Sequence, residues 1–163
     1  MRWARVPAPF GPLAVAADDE GVCRVTFDGG TGPVLDPSGV PGGTLRRAVA
    51  QLAGYLAGDL TEFALPLSVR SGSDFERAVW LALRDIPYGE MRTYGEIAAR
   101  VGDPGAARAV GVACNRNPLP VLVPCHRVVG ADGKLVGFGG GLHRKRFLLE
   151  LEARTRILRD FGT

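Results

Sequence analysis

The chain has 163 residues, 46% of them apolar and 23% charged, which supplies material for one core or two small lobes and excludes a wholly disordered chain. A net charge of +3 at pH 7 and a pI near 9.0 permit nucleic-acid binding without requiring it. Cys23, Cys114 and Cys125 are too few and too widely spaced for a disulfide framework, and with only His126 and His143 no zinc-finger spacing can be assembled.

The expectation is therefore a reduced, cytoplasmic protein. Residues 1–7 hold no apolar core of a signal peptide, and no apolar run is long enough to cross a membrane. In chain order, Leu13 to Ala17 and Val22 to Phe27 are apolar runs separated by Asp18-Asp19-Glu20-Gly21, a hairpin signal. Residues 28–43 are rich in Gly and Pro and read as an irregular connection. Leu45, Val49, Leu52, Ala53 and Leu56 recur at helical spacing, and Gly58 ends that helix. The character changes after Pro66, so the boundary is placed near residue 70: a β-containing lobe over 1–70, a mostly helical lobe over 71–163.

Ser73 or Asp74 can cap the next helix, whose core side is read as Phe75, Val79, Leu81, Ala82 and Leu83 and whose end is Pro87. Thr93 caps a helix over 94–101, with Glu96 three residues on as a capping box requires. Residues 102–105 turn the chain into a second helix over 106–113. This is the helix-turn-helix outline, which many packing corners share. One face of the second helix is read as small: Ala106, Ala107, Ala109, Gly111 and Ala113. Such a face fits a narrow groove or packs closely on another helix. Arg108 is the long charged side chain among them, and Arg144, Lys145, Arg146, Arg154, Arg156 and Arg159 crowd the C-terminal segment.

The chemistry concentrates in Pro124-Cys125-His126-Arg127, after the turn Asn117-Pro118-Leu119-Pro120 and the apolar Val121-Leu122-Val123. Cys23 and Cys114 read as small buried hydrophobes. Cys125 differs because a histidine follows it, and a base or cation nearby raises the thiolate fraction of a cysteine. A third group usually orients such a histidine; Glu150 and Glu152 of the last helix, which runs from Leu142 to Arg154 or a little beyond, are the candidates. Phe147, Leu148 and Leu151 are expected to face the core, and Gly139-Gly140-Gly141 to let backbone N–H groups approach a ligand.

In this order, Ile86-Pro87-Tyr88-Gly89, Thr93-Tyr94-Gly95-Glu96-Ile97-Ala98, Ala107-Arg108-Ala109-Val110-Gly111, Asn117-Pro118, Pro124 to Gly130, Gly137 to Leu142 and Leu148 to Glu152 closely resemble the O6-alkylguanine-DNA alkyltransferase family. The strong resemblance covers about 73–152; the N-terminal part is similar only loosely. It implies an α+β fold, with a ribonuclease-H-like N-terminal lobe and a helical, winged-helix-like C-terminal lobe. It implies direct DNA repair, in which Cys125 takes the alkyl group from guanine O6, and also from thymine O4, irreversibly and once per molecule. His126 would be the base, acting through a water, with Glu152 orienting it. Asn117 would brace the active turn, and Tyr94 would serve guanine N3. The carbonyls of Cys125 and Val128 would read the exocyclic amine, the Gly139 N–H would face O6, and Phe138, where some relatives carry tyrosine, would cover the base.

The damaged nucleotide would be flipped out of the duplex. Arg108 would fill the gap, and Thr93, Ala106, Ala107, Ala109 and Gly111 would meet the minor groove. The same resemblance implies a monomer acting on double-stranded DNA without cofactor or metal, since the zinc site of some relatives has no counterpart beside Cys23. A lesion-binding protein without transfer chemistry is disfavoured because Cys125 is present. A Cys–His hydrolase leaves the small-residue helix unexplained, and a plain DNA-binding module leaves Cys125, His126 and Glu152 unused.

Overall fold

The computed structural model describes residues 1–27 and 43–161, and the chain divides into two compact units, Met1–Arg70 and Ser71–Thr163. In the first unit, β1 (Arg2–Val6), β2 (Leu13–Ala17) and β3 (Val22–Thr26) form an antiparallel sheet in the order β1-β2-β3. The expected hairpin is β2–β3. Its turn is tied by Asp18, whose carboxylate accepts the N–H groups of Glu20 and Gly21 at 2.8 and 3.1 Å, an arrangement that favours Asp in turns. β1 is an addition to the sequence reading. It buries only Ala4 and Val6, with the exposed Arg5 between them; two small apolar residues are a weak alternating signal. β2, the central strand, is buried along its whole length.

Helix α1 (Thr44–Leu56) lies on this sheet and buries Ala48, Val49, Leu52 and Tyr55. Leu45, Ala53 and Leu56 are half-buried, so the inward stripe is rotated from the expected one toward Tyr55. Gly58 follows the helix at φ 81°, the left-handed conformation that ends helices. The irregular connection expected over 28–43 lies, apart from Gly43, outside the described residues.

The second unit is mostly helical. Helix α2 (Asp74–Leu83) is capped by Ser73, not Asp74: the Ser73 hydroxyl accepts the Glu76 N–H, and the Glu76 carboxylate returns to the Ser73 N–H. It buries Val79, Trp80, Ala82 and Leu83. Leu81, expected on the core side, is 65% exposed. Trp80 takes the inward place, because its large ring packs across the helix and its indole N–H finds the Ala113 carbonyl at 2.8 Å, the partner a buried Trp needs.

Strand β4 (Arg92–Thr93) leads into helix α3 (Tyr94–Arg100), where Thr93 and Glu96 form the expected capping box. Helix α4 (Ala107–Asn115) packs on α3 and α2. A single 3₁₀ turn (Cys125–Arg127) precedes β5 (Val128–Val129), and helix α5 (Leu142–Asp160) closes the unit. Strands β4 and β5 pair in parallel, Arg92 with Val128 and Thr93 with Val129. That short ladder ties the start of α3, and so Tyr94, to the segment that carries Cys125. α5 runs longer than its expected end near Arg154; it buries Leu148 and Leu151, while Phe147 is only half-buried. No helix is long and apolar enough to cross a membrane among the described residues.

Candidate active site

The approach to Cys125 is a run of local turns. The Asn117 carboxamide oxygen accepts the Leu119 N–H at 2.9 Å, and its NH₂ donates to the Val123 carbonyl at 2.8 Å. Asn is suited to both tasks because it carries a donor and an acceptor on one short arm. Val121 sits at φ 76°, a region a β-branched side chain enters only when the surroundings impose it. Pro124, at φ −80° and ψ 67°, forms the centre of an inverse γ-turn that closes with Cys125 N–H donating to Val123 C=O at 2.8 Å. Residues 119–129 are buried throughout, so the cysteine rests on a stiff, dry support.

Cys125 is itself buried, as are His126 and Arg127. Burial pushes the Cys125 thiol up to about 11, against the opposing hydrogen bond from Asn117 and the charge of Lys145. The resting group is therefore a neutral thiol. His126 Nε2 lies 2.7 Å from Glu152 Oε2. Burial lowers the imidazole below its ordinary pKa despite the Glu152 carboxylate, so His126 is neutral at pH 7. Burial alone would raise the Glu152 carboxyl, but the hydrogen bonds and charges of His126 and Arg127 outweigh it and hold the group well below the usual carboxylate range. Glu150, the other candidate acid, is exposed on α5.

Tyr94 approaches from the start of α3. Its hydroxyl donates to the Val136 carbonyl at 3.0 Å, and burial raises the phenol to about 12. Gly111 of α4 lies beneath its ring, where a Cβ would stand 3.8 Å from the ring edge.

Lys145, one of the basic residues that crowd the C-terminal segment, is fully buried. Its ammonium donates to the Val136 and Gly137 carbonyls at 3.0 and 3.4 Å and lies 3.5 Å from the Tyr94 hydroxyl. It also faces the rings of Tyr94 and Phe138, at 5.7 and 6.0 Å from their centroids, a favourable place for a desolvated cation. Lys145 and Glu152 are seven residues apart on α5 and so share a helix face. That spacing was the one available sign that Lys145 points inward. Val128 is buried, Phe138 half-buried and Gly139 exposed.

Residues 74–154 match the family model of the 6-O-methylguanine DNA methyltransferase DNA binding domain, and residues 1–69 match the ribonuclease-like domain of the same proteins. The chain belongs to the 6-O-methylguanine DNA methyltransferase family. It is 51% identical to the methylated-DNA–protein-cysteine methyltransferase of Mycobacterium leprae over 149 residues, 89% of this chain and 88% of that protein. It is 47% identical to the enzyme of that name from Methanosarcina acetivorans over 154 residues, 93% of this chain and 98% of that one. The crystal structure of Mycobacterium tuberculosis OGT in complex with DNA matches with a TM-score of 0.84 and 46% identity, covering 95% of this chain and 94% of that chain.

In this methyltransferase, α4 offers an uneven surface. Arg108 and Ala109 are exposed, and Ala106, Ala107 and Gly111 are half-buried. Ala113, read as part of the small face, is instead buried against α2, where its carbonyl receives Trp80. Val112 takes its place on the outside at 51% exposure. The Thr93 hydroxyl accepts the Glu96 N–H, so its oxygen already serves the helix cap.

Proposed function

We propose that this alkyltransferase accepts the alkyl group of O6-alkylguanine in double-stranded DNA on the sulfur of Cys125, once per molecule. The observation that carries the reading is the buried series Cys125, His126 and Glu152, in which His126 Nε2 lies 2.7 Å from the Glu152 carboxylate. A thiol stored in its neutral form is a poor nucleophile. It becomes one when His126 takes its proton, through a water. Thiolate and imidazolium then form together, with the Glu152 carboxylate beside the new positive charge.

The thiolate attacks the alkyl carbon in line. The S–C bond forms, the C–O6 bond breaks, and the electron pair remains on guanine. Tyr94, whose raised pKa keeps it protonated, donates a hydrogen bond to N3 as that charge develops. To do so it exchanges the Val136 carbonyl for the base. The carbonyls of Cys125 and Val128 read the exocyclic amine, the Gly139 N–H meets O6, and the Phe138 ring covers the base. The thioether product is not reopened by ordinary thiol chemistry, which makes the transfer stoichiometric. O4-alkylthymine presents the same O-alkyl group and is a second substrate.

A base inside a duplex must leave the stack before a buried sulfur can reach it. The exposed Arg108 on α4 supports a role in filling the vacated space from the minor groove, with Ala106, Ala107, Ala109 and Gly111 allowing close approach and Thr93 at the edge. The test is stoichiometry. With a duplex oligonucleotide carrying O6-methylguanine in excess, lesion loss should stop at one equivalent per protein. Continued turnover, or binding with no lesion loss, contradicts the reading.

A further inference from the structure

The turn formed by residues 86–89, between α2 and β4, has no part in the reaction as described. Yet it grips the group that stands behind the base. Glu152 receives three donors, Arg127 Nε at 2.8 Å, Arg127 Nη2 at 2.9 Å and the Gly89 N–H at 3.0 Å, and its Oε2 lies 2.7 Å from His126 Nε2. Arg127 is fixed in turn. Its Nη1 donates to the Ile86 carbonyl at 2.7 Å, and its guanidinium lies 5.6 Å from the centroid of the Tyr88 ring. Gly89 sits at φ 78°, and a Cβ there would come within 2.8 Å of the Arg156 side chain, which donates to the Gly89 carbonyl at 3.2 Å.

We propose that Arg127, clamped by the Ile86–Gly89 turn, is a positioning residue that fixes which nitrogen of His126 carries the proton. The proposal rests on the reading of His126 as the base. A carboxylate that already accepts a two-pronged guanidinium and a backbone N–H has no call for a proton of its own. The hydrogen between Glu152 and His126 therefore stays on Nε2. Nδ1 is left as the bare nitrogen, and it is the one that takes the thiol proton.

The groups facing the imidazole set the sign of the effect. Helix α5 presents Glu152 and Lys145, and the turn itself presents Arg127 and the neutral Cys125. Burial is the largest influence lowering His126; Glu152 opposes it, and the two cations add to it. α2, the other helix packed against the turn, buries only uncharged residues, and burial keeps the Tyr88 hydroxyl protonated. Removing the Arg127 charge raises the His126 pKa, so imidazolium persists to higher pH and less base is available.

Nitrogen-15 spectra of the histidine rings of the intact protein test this directly. His143→Gln assigns the two rings, His143 being the protein's other histidine. The wild type should show the neutral ring protonated on Nε2 at pH 7.5. In Arg127→Gln, the acidic limb of the rate profile with free O6-benzylguanine should move up by about one pH unit. In Arg127→Lys, which keeps the charge but not the fork, the rate should fall with the limb in place. A wild-type ring protonated on Nδ1 overturns the proposal even if no variant folds. So does a limb that stays put in Arg127→Gln, or one that moves as far in Arg127→Lys. The ring spectra need no turnover. A wild type that shows the Nε2 proton but accepts no alkyl group would instead defeat the acceptor reading.

Discussion

The Cys125–Arg127 turn and helix α4 belong to the same unit, but the turn is buried and α4 is partly exposed. Polar side chains on and before the turn are held within the protein: Asn117 to Val123, His126 Nε2 to Glu152, Arg127 to Glu152 and Ile86. On α4, Arg108, Ala109 and Val112 are turned outward. Chemistry that must exclude water is built on contacts the protein makes with itself. Arg108, the residue proposed to meet DNA, is exposed to solvent. Substitutions should therefore separate the two regions, costing stability and reaction together in the first and DNA-dependent function alone in the second.

The largest effect is expected for Glu152→Gln. Arg127 loses a buried ion pair and His126 its orienting carboxylate. Denaturant unfolding should show a loss of about 3–5 kcal/mol, and single-turnover transfer should slow by about 10²- to 10⁴-fold. An intact rate would mean that the buried region is structural only.

Asn117→Ala should come next. It removes the brace at both ends, at a cost of about 1–3 kcal/mol, and it leaves Cys125 less well held. Unfolding curves and transfer rates read on the same preparations should fall together.

A smaller effect follows from His126. Its folded-state pKa lies below the ordinary 6.5. As pH falls through that value the unfolded chain takes up a proton that the folded chain does not, so stability declines. Glu152 acts in the same direction at lower pH, since its depressed carboxyl stays charged when the unfolded chain has begun to protonate. His126→Gln should flatten the slope between about pH 6.5 and 5 in urea titrations. A slope unchanged by the substitution would place the acid sensitivity elsewhere.

The least change in stability is expected at Arg108. Arg108→Ala should unfold within about 0.5 kcal/mol of the wild type. It should nevertheless slow repair in duplex by about tenfold or more while sparing reaction with free O6-benzylguanine. Equal losses on both substrates would remove the distinction between the two regions.

The same contrast explains what could be read from the residues. The capping box at Thr93 and Glu96 is local chemistry, complete within four positions, and the helix stands where it was expected. Cys125 next to His126 was equally local. The choice between Glu150 and Glu152 needed either the family resemblance or the structure, because a partner across the fold leaves no mark on sequence spacing. The burial of Lys145 was not legible for the same reason: the carbonyls of Val136 and Gly137 and the ring of Tyr94, which make that burial tolerable, lie on other segments. Leu81 was misassigned, and Ala113 was left open between a groove and a neighbouring helix, because Trp80 reaches across from α2 to the Ala113 carbonyl, a contact between helices that periodicity within either one does not contain.

The central claim is that one sulfur, that of Cys125, takes the alkyl group. Peptide mass mapping after incubation with a duplex containing O6-methylguanine tests it most directly. A single methyl should be found on the peptide carrying Cys125, with none on those carrying Cys23 or Cys114, and Cys125→Ser should gain nothing. A methyl on another residue, or one that Cys125→Ser still acquires, would contradict the account.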